Sequence, residues 1–143
     1  MANTNAPYGF RPIRMPWGDE PRFNVYAPAG YSIASAYGTA IYEGDPVKSS
    51  GTASADGRPG IIISAVSDTA TLGVFAGVEY TDVNGDRKHS NKWTAATVGT
   101  NIIAKVYDHE DTIFRIQVAG ATTPDVAAAD IMDSADFNLG TGN

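Results

Sequence analysis

Residues 71–80, with the sequence TLGVFAGVEY, decide the fold class of this chain. Every second residue from Leu72 to Tyr80 is apolar, and this period of two is typical of a β-strand. Gly73 and Gly77 share the opposite face, which predicts a bend in the strand or a close approach by another backbone. Both features are typical of a small, curved β-sheet.

The flanking segments extend this β prediction in both directions. Residues 60–66, GIIISAV, form the most β-prone run of the chain and predict a central strand. Residues 82–86 contain an Asn-Gly pair, the strongest short signal for a hairpin turn, and the polar residues 87–93 predict a return strand at an edge. Residues 102–107 and 112–118 predict a second hairpin, whose turn is the charged run between them.

The rest of the core is predicted to be short strands joined by turns. Alternation predicts a strand at residues 23–27, and residues 39–42 predict another. Gly44 and Pro46 predict the turn that follows, and the Ser, Thr, Gly and Pro content of residues 49–60 predicts a loop. We therefore expect a mainly β fold, a small β-barrel or sandwich-like domain.

Both ends of the chain differ from this core. Residues 1–21 are predicted to form an extended N-terminal arm, residues 22–118 the β-rich core domain, and residues 119–143 an acidic C-terminal segment. Within that last segment, the Thr-Pro-Asp sequence at residues 123–125 is typical of a helix start and predicts a short helix.

The arm combines prolines with large apolar side chains. Residues 7–17, PYGFRPIRMPW, contain three prolines, which disfavour a helix and remove donors from a β-ladder. The same residues carry too much apolar surface for a free, solvated tail. Two placements stay open: the arm docks along the surface of a neighbouring molecule, or it folds back over its own core.

Charge is unevenly distributed along the chain. The net charge is −6, and all of it comes from residues 108–143, which contain seven acidic residues and a single basic residue, Arg115. The first eighteen residues hold only Arg11 and Arg14 and carry +2. An acidic surface that keeps the protein in solution explains this pattern. The alternative is that the basic start meets an acidic partner surface.

Several functional classes are excluded by what the sequence lacks. There is no cysteine, no run of about eighteen apolar residues and no secretory signal pattern at the start, and a pI near 4.6 argues against a nucleic-acid partner. His89 and His109 lack the spacing of a zinc site. The Asp82-x-Asn84-x-Asp86 pattern lacks the glycine and glutamate that a calcium loop needs. We therefore predict no enzyme activity, no cofactor, no metal, no nucleic acid and no membrane span.

The sequence resembles a known group of proteins in several short motifs. These are NAPYGFRPIR at residues 5–14, YEGDPV at 42–47, GVFAG at 73–77 followed by Glu79-Tyr80, and VYD at 106–108 followed by FRIQ at 114–117. In this order they resemble small head proteins of tailed bacteriophages, known as decoration, cement or capsid-stabilising proteins. Members of that group often continue past the Gly-rich finish at which this sequence differs most.

This resemblance implies a structural virion protein on the outer surface of an icosahedral head, assembled in the host cytoplasm. Such a protein binds the major capsid protein and stabilises contacts between its subunits; most are homotrimers near threefold positions, and dimers and monomers occur. We expect the arm to make the capsid contact and to be removable without unfolding the core. The expected partner-binding residues are Tyr8, Phe10, Arg11, Ile13, Arg14, Met15 and Trp17.

A second functional class remains open beside this one. Four tyrosines occur within seventeen residues, and exposed aromatic rings stack on sugars. These tyrosines predict, as the alternative, a phage glycan-binding or receptor-binding module. They are Tyr26, Tyr31, Tyr37 and Tyr42.

Overall fold

The computed structural model of the protein describes residues 9–117, and these contain nine β-strands and no helix. The predicted C-terminal helix and Tyr8 therefore lie outside the described residues, as does the whole acidic segment. The strands are β1 (Arg11–Arg14), β2 (Ile41–Tyr42), β3 (Pro46–Ala53), β4 (Pro59–Ile63), β5 (Gly73–Thr81), β6 (Arg87–Ser90), β7 (Lys92–Trp93), β8 (Thr100–Tyr107) and β9 (Ile113–Arg115).

The main sheet is antiparallel and is organised around β5. β8 pairs with β5 over most of its length, while β3 pairs with the start of β5 and β6 with its end. β4 pairs with the far side of β3, and two small sheets, β1-β9 and β2-β7, complete the described part. The predicted mainly β fold is confirmed, and the sheets of the described residues do not close into a barrel.

Gly73 and Gly77 of β5 mark a close backbone approach and a bend, as their position on one face predicts. Gly73 lies so close to the backbone of Tyr107 that a Cβ atom would overlap its carbonyl oxygen. Gly77 has a positive φ of 150° and lies at an irregularity in the β5–β8 register, where Phe75 faces Val106 and Gly77 faces Lys105. Close backbone approach and a local bend therefore both occur in this strand.

The core lies against one side of this sheet and is built from large side chains. Trp93 and Phe75 are fully buried, and the ring of Tyr80 packs edge-on against Trp93 at 5.6 Å between centroids. Burial of such rings is the main source of folding free energy in a domain of this size. The other buried apolar residues of the cluster are Ala27, Tyr31, Ile33, Ile41, Val47, Ile61, Val78, Ile102, Ala104 and Val106.

Three local predictions were wrong. Residues 23–27 are not a strand but an irregular segment, in which Asn24 has a positive φ of 55°. β4 is an edge strand of the sheet rather than a central one. Much of the predicted loop at residues 49–60 belongs to β3 and β4, which are joined by a tight turn that Ser54 and Arg58 close with a backbone hydrogen bond of 2.9 Å.

The prediction of a second hairpin was also wrong, and the actual pairing of β9 shows where the arm lies. β8 pairs with β5, whereas β9 pairs with β1 of the arm, with Arg11 opposite Arg115 and Pro12 opposite Phe114. In the described part the arm therefore folds back onto its own chain, which is one of the two placements that the sequence left open. The physical reason lies in the turn between β8 and β9, at Asp108.

Candidate functional site

Asp108 ties together three segments that are distant in sequence. Its side chain is buried, and its two carboxylate oxygens accept hydrogen bonds from the backbone N–H groups of Val25 (2.8 Å) and Tyr26 (2.9 Å) and from the hydroxyl of Tyr31 (2.7 Å). Burial, together with this hydrogen bond to the carboxylate, raises the pKa of the Tyr31 hydroxyl. Asp108 is thus a structural anchor and not an exposed turn residue.

Asn24 completes the attachment of residues 22–26 to β8. Its backbone N–H donates to the carbonyl of Val106 at 2.8 Å, and its side-chain oxygen accepts from the N–H of Val106 at 3.0 Å. Asparagine tolerates the positive φ that this arrangement requires. These bonds replace a regular strand pairing, so the following side chains turn outward.

The outward-facing side chains surround an open groove between the arm and residues 22–26. The groove has a volume of about 390 Å³. We call it the aromatic groove, and its lining residues are Met15, Trp17, Asp19, Arg22, Phe23, Val25 and His109.

His109 links two exposed aromatic rings at this groove. The Trp17 ring meets the imidazole edge-on, with 5.6 Å between centroids, and the Tyr26 ring stacks on it at 6.1 Å with an angle of 18° between the planes. Trp17 and Tyr26 are 58% and 62% exposed. The indole N–H of Trp17 donates to Asp19 at 2.8 Å. The rings are therefore held in place while more than half of each side chain remains open to solvent.

A second set of ring contacts joins the arm to the core beside the groove. Phe10 meets Phe114 edge-on at 6.0 Å, Phe114 meets Tyr107 at 6.3 Å, and Tyr107 meets Phe23 at 6.1 Å. The ammonium group of Lys105 lies 5.4 Å from the centre of the Phe23 ring, within cation–π range. Arm, β9 and residues 22–26 thus form one aromatic surface.

Of the seven expected partner-binding residues, Tyr8 lies outside the described residues, and the other six fall into three groups. Ile13 and Trp17 are exposed, as are Arg11 and Arg14. Phe10 is half-buried against Phe114. Met15 is only 1% exposed, and its sulfur lies 3.5 Å from the hydroxyl of Thr112, so it packs inside the protein.

Sequence reasoning missed most of the groove. Residues 22–26 were placed in a strand of the core, and His109 was treated as part of a charged turn tip. The arm was considered alone, although its neighbours are almost a hundred residues away in sequence. The one usable signal was the density of aromatic residues in 23–31. The missed exposed residues are Phe23, Val25, Tyr26, Ile113 and Ile116.

The four tyrosines of the glycan-binding alternative do not form one exposed platform. Tyr26 is exposed, but Tyr31 is buried and bonded to Asp108, and Tyr37 and Tyr42 are half-buried. The hydroxyl of Tyr37 accepts a long hydrogen bond from the N–H of Ile63. A flat stacking surface for sugar rings would need several of these side chains exposed together.

Metal and membrane features are not found in the part of the chain that the structure describes. Residues 9–117 contain no group of three or more His, Asp or Glu side chains placed to hold a metal ion. The 82–86 segment is a turn in which the Asp82 carboxylate accepts from the N–H groups of Asn84 and Asp86, both at 2.9 Å. The same residues include no helix that is long and apolar enough to cross a bilayer.

Comparison with known proteins adds no identification. A scan against protein-family models found no match, and searches of curated proteins and of solved structures found none either.

Proposed function

We propose that this chain is a structural virion protein that binds the outer surface of an icosahedral phage head and stabilises contacts between major capsid protein subunits. The motif resemblance supports this proposal, and one structural observation carries it. Seven of the ten exposed large apolar side chains of residues 9–117 lie in two short stretches, 13–26 and 113–116. Such concentration is typical of protein-binding surfaces.

The aromatic groove is the contact surface in this proposal. Trp17 and Tyr26 are large, already ordered and solvent-exposed, so a partner that covers them gains apolar burial at little cost in side-chain entropy. Ile13 and Arg14 extend the contact along β1. A head offers many equivalent positions, so modest binding at each copy sums over the shell.

Head binding with and without the two rings tests the proposal. Heads of the phage that encodes the chain, prepared without this protein, are mixed with wild type or with a Trp17→Ala/Tyr26→Ala variant and sedimented. Loss of a hot-spot ring of this type costs about 2 kcal/mol or more, so we expect binding to fall by at least about thirtyfold, the effect of one ring alone. Unchanged thermal unfolding of the variant shows that the loss is local.

A matched variant makes this test specific. Val66 and Val83 are exposed apolar residues outside the two stretches, at 51% and 77% exposure. The Val66→Ala/Val83→Ala variant should decorate heads as wild type does. Equal decoration by wild type and the ring variant would overturn the proposed contact. Binding to host glycans without any binding to heads would favour the glycan-binding alternative.

A further inference from the structure

A second open cleft lies between residues 32–35, the turn that joins β3 to β4, and the first residues of β8. Its volume is about 400 Å³, within the range of small-molecule sites, and it shares no lining residue with the aromatic groove. We call it the polar cleft, because five of its lining side chains carry a hydroxyl group. These are Ser32, Ser35, Thr52, Ser54 and Thr100.

Arg58 links the other polar side chains of this cleft. Its side chain is only 16% exposed, and its Nε–H group donates a hydrogen bond to the carbonyl of Ala29 at 3.0 Å. Its Nη1 group donates to the Oδ2 atom of Asp56 at 2.8 Å and to the Oδ1 atom of Asn101 at 3.4 Å. Since one nitrogen contacts both oxygens, Asp56 and Asn101 are held side by side.

Asn101 is also held through its backbone. Its carbonyl oxygen accepts a hydrogen bond from Nη1 of Arg87 at 2.8 Å, and its φ is positive, at 48°. The residue lies where the register of β8 against β5 is irregular, beside Thr100 opposite Thr81. Positive φ values are rare outside glycine and are concentrated at functional sites, and asparagine tolerates them better than most residues. The backbone and the side chain of Asn101 are therefore both fixed.

Asp56 and Asn101 each keep an unused hydrogen-bonding group. Arg58 can only donate, so the amide oxygen of Asn101 faces it and the NH2 group does not. Neither this NH2 group nor the Oδ1 atom of Asp56 has a hydrogen-bond partner within residues 9–117. An acceptor beside a donor matches two neighbouring hydroxyl groups of a sugar, because one hydroxyl donates to the carboxylate while the other accepts from the amide.

The charge of the cleft favours a neutral ligand. Asp56 and Arg58 are the only charged residues of its lining, and they pair with each other, so an ionic ligand would compete with that pair. A peptide is also a poorer occupant, because peptides bind to free sheet edges or apolar pockets. Here Ser32 already occupies the edge of β4 through hydrogen bonds with Pro59 and Ile61. The clustered hydroxyl groups instead match a polyhydroxylated ligand.

We propose that the polar cleft binds a neutral hexose unit of a glycan. Two neighbouring hydroxyl groups of the sugar bond to the carboxylate of Asp56 and to the amide of Asn101. The small side chains of Ala34, Ala53 and Ala55 leave room for the sugar ring. The site is separate from the four tyrosines and from the proposed capsid contact, so it adds a second binding activity to the protein.

An NMR titration of the full chain tests this site. The methyl glycosides of glucose, mannose and galactose, whose anomeric oxygen is blocked as in a glycan, are added to 15N-labelled protein. We expect at least one of them to shift the side-chain amide signals of Asn101 and the backbone amide signals of residues 54–58, with a millimolar Kd. No shift with any of the three at about 50 mM, a large excess over a Kd of about 1 mM, overturns the proposal. Shifts from a capped Ala-Ser tetrapeptide and from no sugar also overturn it, in favour of a peptide site.

Variants of the cleft establish which groups bind the sugar. Asp56→Asn changes a side chain that is 61% exposed, and loss of a hydrogen bond to its charge should raise the Kd about tenfold. Ala55→Trp fills the cleft and should abolish the shifts without a change in thermal unfolding, because Ala55 is exposed. The control Asp86→Asn changes an exposed carboxylate outside the cleft and should bind as wild type does. Wild-type affinity in both cleft variants overturns the assignment.

Head sedimentation keeps this proposal separate from the proposed function. Asp56→Asn should sediment with heads as wild type does, and Trp17→Ala/Tyr26→Ala should bind the sugar as wild type does. Sugar binding that is lost in the ring variant and kept in Asp56→Asn would overturn the polar cleft as the site and place the sugar at the aromatic groove.

Discussion

Two polar side chains, Asp108 and Asn24, hold residues 24–31 against the end of β8. Asp108 holds Val25, Tyr26 and Tyr31, while Asn24 holds Val106. A buried carboxylate with three donors is stable in this position, but removal of either acceptor oxygen leaves the donors at that oxygen unpaired. The placement of Tyr26 against His109, beside the aromatic groove, therefore depends on Asp108.

Replacement of Asp108 by Asn should destabilise the protein strongly. An amide keeps the size of the side chain but turns one acceptor oxygen into a donor, so either the two donors at Oδ2 (the Tyr26 N–H and the Tyr31 hydroxyl) or the Val25 N–H lose their acceptor. We expect the free energy of unfolding to fall by about 2–4 kcal/mol in urea denaturation. Tyr31→Phe, which removes one bond, should cost less. A loss for Asp108→Asn that is no larger than for the exposed Asp111→Asn would contradict this role.

The Asp68 carboxylate makes a pH-dependent contribution to the free energy of unfolding. A hydrogen bond from the ammonium group of Lys48, at 2.7 Å, and one from the N–H of Ala65 lower the pKa of Asp68. An acid whose pKa is lowered by folding stabilises the folded state above its unfolded pKa of about 3.9, and this contribution is lost as pH falls through the folded value.

The expected result is a difference between wild type and Asp68→Asn that is largest near neutral pH and shrinks below about pH 4. Chemical denaturation at a series of pH values measures it. In Lys48→Gln the Asp68 pKa should move up toward its usual value, as followed by carboxyl NMR. A wild-type-to-variant difference that stays constant from pH 7 to pH 2 would rule out this linkage.

At the scale of elements, sequence patterns predicted those strands whose signal is local. β5 and the Asn-Gly turn followed directly from alternation and turn chemistry, and β6 lies at an edge as its charges predict. β9 was assigned to β8 because adjacent strands usually pair. Its actual partner, β1, is about a hundred residues distant, and the Asp108 contacts that redirect the chain have no periodic signature.

The close packing of β5 against β8 can be tested at Gly73. In Gly73→Ala the new methyl group would meet the carbonyl of Tyr107 and the side chain of Val106, so β5 and β8 must separate locally. Overpacking of this kind costs about 1–3 kcal/mol, measurable by thermal or urea unfolding. Gly38→Ala, where no atom lies within 4 Å of the added carbon, is the control and should be nearly neutral.

At the scale of the whole molecule, the division into arm and core is less sharp than composition suggested. The sequence identified residues 8–17 as too apolar for a solvated tail, and the described part of this stretch does pack against the protein. It could not reveal that Met15 is buried beside Thr112 while Trp17 remains exposed. Met15 begins a turn that a hydrogen bond from the Gly18 N–H closes, and Trp17 lies within that turn. Sequence periodicity carries no such information in a proline-rich segment.

Deletion of residues 1–17 should leave the core folded, as expected from the sequence, but should also lower its stability. The deletion removes β1 from β9 and the buried Met15 side chain from its site, and loss of a buried methionine alone costs about 2–5 kcal/mol. The main sheet around β5 makes no ladder with β1, so we expect a folded but less stable protein with exposed amides in β9, measured by hydrogen exchange.

Point variants separate folding from binding where this deletion cannot. Met15→Ala should reproduce much of the loss in stability and weaken binding only through the distorted groove. Trp17→Ala should leave the free energy of unfolding within about 0.5 kcal/mol, because its ring is mostly in solvent, and should still reduce binding to heads. If Trp17→Ala instead destabilises the fold as much as Met15→Ala, the indole is part of the packed structure, and its exposure no longer argues for a partner.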